Sequence, residues 1–270
     1  MADFRNLFSV EGKIALVTGG SRGIGEMIAA GLVDNGARVY ISSRKADACA
    51  KTAERLSKDH GGNCIAMPAD LSSMAGIEAL ASKLAEQENR LDILVNNAGV
   101  AWGAPLDEFP EHGWDKVMDV NVKSVFFLTQ KLLPLLRASG TADDPARVIN
   151  IGSIDGLRTP LFETYSYPVS KAALHHMTRC LAARLTKEHI ILNAIAPGPF
   201  PTWMLSTGVG FGGKVEGEGV DWDIIGQRNP RGRVGTPEDI AGLAIFLSSR
   251  ASAYVVGQTI AIDGGIVASS

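Results

Sequence analysis

Thr18-Gly19-Gly20-Ser21-Arg22-Gly23-Ile24-Gly25 is the stretch on which the fold turns. Ahead of it runs Lys13–Thr18, short and apolar, which reads as a buried strand; behind it Ile24–Asn35 has helical patterning. Glycines at 19, 23 and 25 let the backbone turn tightly and come close to a pyrophosphate. The helix that follows aims its unpaired N–H groups and positive end at those phosphates. Such a turn can also be a plain strand-to-helix connection, and position decides between the two, because this one joins the first strand to the first helix. Gly208-Val209-Gly210-Phe211-Gly212-Gly213 fits G-x-G-x-x-G equally well by letter. No strand precedes it and no helix follows, so it reads as a loop.

Outward from the turn, strand and helix patterns alternate to the end of the chain. Further strands are expected at Arg38–Ser43, Asn63–Ala69, Leu91–Val95, Arg147–Ile151, Ile190–Ile195 and Gln258–Ile262, and further helices at Ala46–Lys58, Met74–Glu86, Gly113–Leu136, Val169–Leu185 and Pro237–Ser248. Continuously apolar strands separated by such helices make an α/β fold: a doubly wound parallel sheet covered on both faces. No repeat or linker interrupts residues 1–270, so a single dinucleotide-binding domain is expected.

Composition excludes several classes. With 26 Lys and Arg against 29 Asp and Glu, the net charge of −3 lacks the basic surplus of a nucleic-acid binder. No apolar run is long enough to span a membrane, and Met1–Arg5 carries an acid where a signal peptide needs base. Three widely spaced cysteines form no Cys-x-x-Cys pair, which argues against a disulfide scaffold or a thiolate metal site. His175 and His176 have no further ligand at suitable spacing. A cytoplasmic protein without metal is the expectation.

The end of the second strand selects a cofactor. NAD sites place an acid there for the ribose 2′-hydroxyl. Here Val39–Lys45 contains none, and Arg44 stands just past the strand. Arg44, with Arg22 from the turn, suits a 2′-phosphate, so NADPH/NADP+ is expected; two solvated surface arginines are the alternative.

A third group is Ser153, Tyr167 and Lys171. Tyr167 and Lys171, four apart, share a helix face, and Pro168 suits a first turn. Tyr165, six residues before Lys171, points about 240° away. Ser153 follows the fifth strand's carboxyl end, the edge where open α/β sheets bind ligands. Such a trio can reduce a carbonyl: an ammonium draws the phenol's pKa down toward working pH, Tyr167 donates a proton, and Ser153 hydrogen-bonds the developing oxyanion. A Tyr-x-x-x-Lys on its own is also an ordinary helix surface. Ser153 is no hydrolase nucleophile, since Gly152-Ser153-Ile154-Asp155-Gly156 departs from the Gly-x-Ser-x-Gly elbow.

Together these residues resemble the short-chain dehydrogenase/reductases over essentially the whole chain. The matching motifs are Thr18–Gly25, Asp70-Leu71, Asn96-Asn97-Ala98-Gly99, Asn121, Ser153, Tyr167/Lys171, Pro197-Gly198 with Thr202, and Asp263-Gly264-Gly265. The resemblance implies a seven-stranded Rossmann-type sheet and adds roles that spacing does not supply. Asn121 would hold a water in a proton relay from Lys171, which also binds the nicotinamide ribose. Asp70 and Leu71 would flank adenine, Asn97 and Gly99 would shape the cleft, and Thr202 would touch the nicotinamide end. The implied cofactor set is Gly19, Ser21, Arg22, Gly23, Ile24, Gly25, Ser43, Arg44, Asp70, Leu71, Asn97, Ala98, Gly99, Tyr167, Lys171, Pro197, Gly198 and Thr202, with Asn121, Ser153, Tyr167 and Lys171 catalytic.

Within the family the chain is similar to bacterial 3-oxoacyl-thioester reductases, including rhamnolipid-linked ketoreductases. Asp155 beside the serine, Phe200 near the nicotinamide site and the long segment Trp203–Arg231 depart from that branch and suit a smaller or more polar substrate. Three readings stay open: a ketoreductase acting on 3-oxoacyl thioesters, a dehydrogenase/reductase of small polar ketones or alcohols, and a non-catalytic dinucleotide sensor or scaffold. The segment 202–232 is expected to form a substrate lid, mobile because of its six glycines between Thr207 and Gly219. Excess apolar residues on the helix at Gly113–Leu136, with the family's habit, imply a homotetramer.

Overall fold

The computed structural model describes residues 4–160, 162–206 and 220–269. Strands β1 (Ile14–Thr18), β2 (Arg38–Ser42), β3 (Asn63–Ala66), β4 (Ile93–Asn96), β5 (Ala146–Ile151), β6 (Ile190–Pro197) and β7 (Thr259–Ile262) form one sheet in the order β3-β2-β1-β4-β5-β6-β7. Every pairing is parallel. Strands from both ends of the chain share this sheet, so the fold is a single Rossmann-type domain. The strands are short and rich in Val, Ile and Leu; β4, β5 and β6 are wholly buried and β1 and β2 nearly so, as burial on both faces requires, while the edge strands β3 and β7 are only partly covered.

The helices are α1 (Gly23–Asp34), α2 (Ala46–His60), α3 (Met74–Gln87), α4 (Glu111–Met118), α5 (Ser124–Ser139), α6 (Ser166–Leu185), the short α7 (Trp203–Ser206) and α8 (Trp222–Gln227), and α9 (Pro237–Ser248). One core lies between the sheet and α1, α2 and α9, around Ile28, Leu32, Ile41 and Ile240. The other lies under α3, α5 and α6, around Leu16, Leu80, Leu94, Leu132 and Leu192. Thr236 and Asp239 form a reciprocal cap that starts α9, with Pro237 in its first turn.

The single helix expected over Gly113–Leu136 is instead divided: α4 and α5 are joined by a π-helical turn, Asp119–Lys123, which contains Asn121. Such widened turns inside α-helices recur at functional sites. Much of this region's apolar excess is used internally, since Val117, Leu128 and Leu132 are buried, while Phe126 stays exposed. The glycine-rich stretch 207–219, with the G-x-G-x-x-G pattern at 208–213, lies outside the described residues.

A buried polar ladder ties the α5–α6 layer to the sheet centre. Asn96 of β4 donates to Thr129 of α5 and to Asn150 of β5, and Asn150 donates to Thr178 of α6, at 2.9–3.2 Å. Each link replaces a hydrogen bond to water that burial removes, so the ladder fixes α6 against β5 instead of merely packing it there. Among the described residues, no helix is long and apolar enough to cross a membrane, and no group of three or more His, Cys, Asp or Glu could hold a metal.

Candidate active site

Strand order reverses between β1 and β4, and the carboxyl ends of β1, β4, β5 and β6 open onto one cleft there. The glycine turn is bolted to β4. Thr18 Oγ1 accepts from the backbone N–H groups of Asn97 (2.9 Å) and Ala98 (3.0 Å) and donates to the Val95 carbonyl. Asn97 Nδ2 donates in turn to the carbonyls of Thr18 (2.9 Å) and Gly19 (3.2 Å). Gly19 adopts φ +65°, and a Cβ there would fall 2.8 Å from Asn97 Nδ2; one on Gly25 would strike the same nitrogen and the Gly19 carbonyl. Two of the turn's glycines are therefore demanded by close approach. Asn97, without the family resemblance an ordinary turn residue, shapes the cleft by holding the turn.

The adenine end is open. Asp70 is exposed and Leu71 buried beside it. The Ser72 N–H donates to Asp70, and with help from Arg44 this lowers the carboxyl's pKa, keeping it ionised. No acid ends β2. Ser42 is buried, and Ser43 and Arg44 follow at the rim. Neither the Arg44 nor the Arg22 guanidinium hydrogen-bonds to any described residue, so both keep their donors for a ligand.

The catalytic end is closed and ordered by packing. Ser153 follows β5, and its Oγ accepts from the Asp155 N–H at 3.1 Å, which leaves the hydroxyl proton to point elsewhere. Tyr167 lies in the first turn of α6. Lys171, one turn on and 4% exposed, places Nζ 5.5 Å from the Tyr167 ring centroid and donates to the Ile151 carbonyl at 2.8 Å. Burial lowers the Lys171 pKa to about 8. Tyr167 moves opposite to expectation: burial, then the charge of Asp155, pushes its phenol up to about 12, against a smaller lowering by the Ser153 hydroxyl. Desolvation, and not the neighbouring ammonium, sets the direction. The phenol thus stands in its acid form, the form a carbonyl reduction needs.

Tyr165 is excluded on contacts as well as angle. Its ring packs edge-on against Phe109, and its hydroxyl reaches Glu163 at 3.4 Å. Asn121 is buried and fully committed. Its Oδ1 accepts from the Val100 N–H, and its Nδ2 donates to the Val100 carbonyl and to Ser170 Oγ, all at 2.9–3.0 Å. Its side chain therefore positions the strand-end loop, and any water it holds must be met by other atoms of the π turn. Ser170 passes the connection on to the Tyr167 carbonyl at 2.7 Å. Ser170, Val100 and the Ile151 carbonyl were not among the expected site residues, and no side-chain pattern marks them, because two of the three contribute backbone.

His175 also belongs to this end. Its 2%-exposed ring fills the space over Gly152 and Gly156, where a Cβ on either glycine would collide with it. Burial and then the nearby Lys171 lower its pKa to about 4, so it is a neutral wedge behind the serine loop. Phe200 does not wall the nicotinamide side: its ring is buried against Gly235. Pro197 ends β6 and Gly198 follows it, with a Cβ on Gly198 excluded by Asp263 of the Asp263-Gly264-Gly265 turn, and Thr202 immediately precedes α7.

Residues 19–267 match the family described as enoyl-(acyl carrier protein) reductase. The chain belongs to the short-chain dehydrogenase/reductase family. Among its relatives in that family is the rhamnolipids biosynthesis 3-oxoacyl-(acyl-carrier-protein) reductase of Pseudomonas aeruginosa, 54% identical over 258 residues that cover 96% of this chain and 97% of the relative. The 2-dehydro-3-deoxy-D-gluconate 5-dehydrogenase of Dickeya dadantii is 37% identical, over 97% and 98%. Among solved structures, the Pseudomonas aeruginosa RhlG/NADP active-site complex superposes with a TM-score of 0.89 at 52% identity, covering 98% of this chain and 100% of that one. A gluconate 5-dehydrogenase of Burkholderia cenocepacia in complex with NADP and tartrate gives 0.86 at 32% identity, covering 98% of each. This short-chain dehydrogenase/reductase thus has both acyl-thioester and sugar-acid enzymes among its relatives.

Proposed function

We propose that the protein is an NADPH-dependent carbonyl reductase whose preferred substrate is a 3-oxoacyl thioester. The observation that carries the reading is the convergence of Ser153, Tyr167 and Lys171 at the strand-order reversal, beside a rim where no acid ends β2 and the Arg22 and Arg44 guanidinium groups make no hydrogen bond to any described residue. The glycine turn's close approaches and that rim fit a phosphorylated dinucleotide. The 54% identical relative, by its name a 3-oxoacyl reductase, supports the substrate class.

NADPH, when bound, supplies the hydride. Ser153 donates its free hydroxyl proton in a hydrogen bond to the carbonyl oxygen and stabilises the negative charge growing there. Tyr167 gives its phenolic proton to that oxygen. The phenolate left behind lies beside the Lys171 ammonium, which the Ile151 carbonyl holds in place. Lys171 then returns a proton toward the phenol, through a relay running past Asn121. The cofactor would rest on Gly19, Ser21, Gly23, Ile24 and Gly25, with Arg22, Ser43 and Arg44 at the 2′-phosphate, Asp70 and Leu71 at adenine, and Ala98, Gly99, Pro197, Gly198 and Thr202 along the nicotinamide half. The segment 202–232, of which 207–219 lie outside the described residues, is proposed as the substrate lid. We further propose a cytoplasmic homotetramer, in which the exposed Phe126 of α5 and Val169 of α6 meet a partner; a monomer in light scattering at micromolar concentration would contradict this.

Asp155 favours one second reading, a small hydroxylated ketone. Its carboxylate is partly buried beside Tyr167, with Arg158 at 3.8 Å as its one cationic neighbour among the described residues, and burial raises its pKa. A hydroxyl-bearing substrate would supply it with a donor. The test compares kcat/KM for 3-oxobutyryl and 3-oxooctanoyl thioesters with that for 5-ketogluconate. Thioesters at least tenfold better are expected; the reverse order would transfer the assignment to the polar substrate.

A further inference from the structure

Arg22 immediately precedes α1, with extended backbone, and caps the helix with no side-chain bond. An aromatic face is what holds its guanidinium: Cζ lies 4.2 Å from the centroid of the Trp203 ring. Trp203 opens α7 and is 55% exposed, a large ring that the core does not claim. Its neighbour Thr202 approaches the same turn. Thr202 Cγ2 and Cβ lie 3.3 and 3.5 Å from where a Cβ on Gly23 would sit, and Gly23 has φ +60°. Residues 202–203 therefore cross directly over residues 22–23, from the substrate side of the cleft to its phosphate side.

A ring beneath a guanidinium attracts it through the negative face of the π system. The N–H groups radiate in the guanidinium plane and remain available to an acceptor at the edge. An arginine fixed in this way also loses less rotamer freedom when its ligand arrives. We propose that Trp203 is a cofactor-specificity residue: it holds Arg22 extended toward the 2′-phosphate, so a side chain beside the substrate lid sets the preference for NADPH over NADH. The proposal rests on the NADPH reading above. It differs from a strap that merely packs on the nucleotide, because its effect passes through Arg22 and falls on the 2′-phosphate alone.

Adenosine 2′,5′-bisphosphate and adenosine 5′-monophosphate differ by that one phosphate, and calorimetric titration of the full chain with each isolates it. Trp203→Ala is expected to weaken the bisphosphate about three- to fivefold and leave the monophosphate unchanged. Trp203→Phe should retain most of the affinity. In an Arg22→Ala background, Trp203→Ala should add nothing. Should the alanine variant unfold, Trp203→Leu carries the same comparison. Equal losses for both nucleotides, or loss for neither, would overturn the role of Trp203. A wild-type protein that failed to prefer the bisphosphate would overturn the NADPH reading itself, and that result needs no variant.

Discussion

The two ends of the cleft are built by opposite means. At the catalytic end Lys171, Asn121, Ser170 and His175 are buried; the first three are hydrogen-bonded to neighbours, and the imidazole is held by packing. At the adenine end Arg22, Arg44 and Asp70 stand in solvent, and the arginines have no hydrogen-bonded partner among the described residues. The closed end fixes atoms before the substrate arrives, where a displaced hydroxyl costs rate. The open end waits with charge, where flexibility costs affinity and water screens each contact. Changes at the first should act on kcat and on folding; changes at the second should act on cofactor KM and respond to salt.

The largest effect should come from Tyr167→Phe. Removing the proton donor should lower kcat by about 10²–10⁴ while leaving the NADPH dissociation constant within about twofold. Steady-state kinetics with a binding titration checks both halves, and a matching loss of NADPH affinity would break the division between the ends.

Next is the pH dependence of stability. His175 has its pKa lowered to about 4 in the folded protein, against 6.5 unperturbed. Between those values the unfolded chain binds the extra proton, so the contribution is complete above pH 6.5 and is lost as pH falls toward 4. The shift corresponds to roughly 3 kcal/mol at most. Urea unfolding of His175→Gln should show a shallower loss over that window than the parent protein; parallel curves would mean that the ring is not held neutral. Asp155, whose folded pKa is raised, acts in the opposite direction and is common to both proteins.

At the open end, Arg44→Ala should raise the KM for NADPH about tenfold, leave NADH nearly unaffected, and flatten the salt dependence of NADPH binding. Equal losses with both cofactors would sharpen the comparison against us by removing the 2′-phosphate from that rim. Smallest of all, Tyr165→Phe should change kcat less than twofold, since among the described residues its hydroxyl meets Glu163 alone.

The same contrast governs what the sequence discloses. The strands, the glycine turn and the Tyr167–Lys171 face are legible because they follow from short continuous apolar runs, from the helical period of 3.6 and from a turn that only glycine can make. The break at Asp119–Lys123 leaves no such mark. Its residues continue the helical apolar pattern, and the extra residue of a π turn shows only in the backbone. Asn121 was found by resemblance, yet the use of both ends of its amide on Val100 is a tertiary fact. The Tyr167 pKa was misjudged for a related reason: proximity to Lys171 is readable from spacing, whereas desolvation depends on what covers the ring. The Arg22–Trp203 stack joins residues 181 positions apart, and no spacing pattern links them.

The central claim is most directly tested by mixing the purified protein with a 3-oxoacyl thioester and NADPH and following absorbance at the reduced nicotinamide band, with the product resolved by chromatography. One NADPH consumed per 3-hydroxyacyl thioester formed, with NADH at least tenfold less efficient in kcat/KM, is the predicted result. Tight NADPH binding with no consumption on any ketone would contradict it and leave a dinucleotide sensor in the enzyme's place.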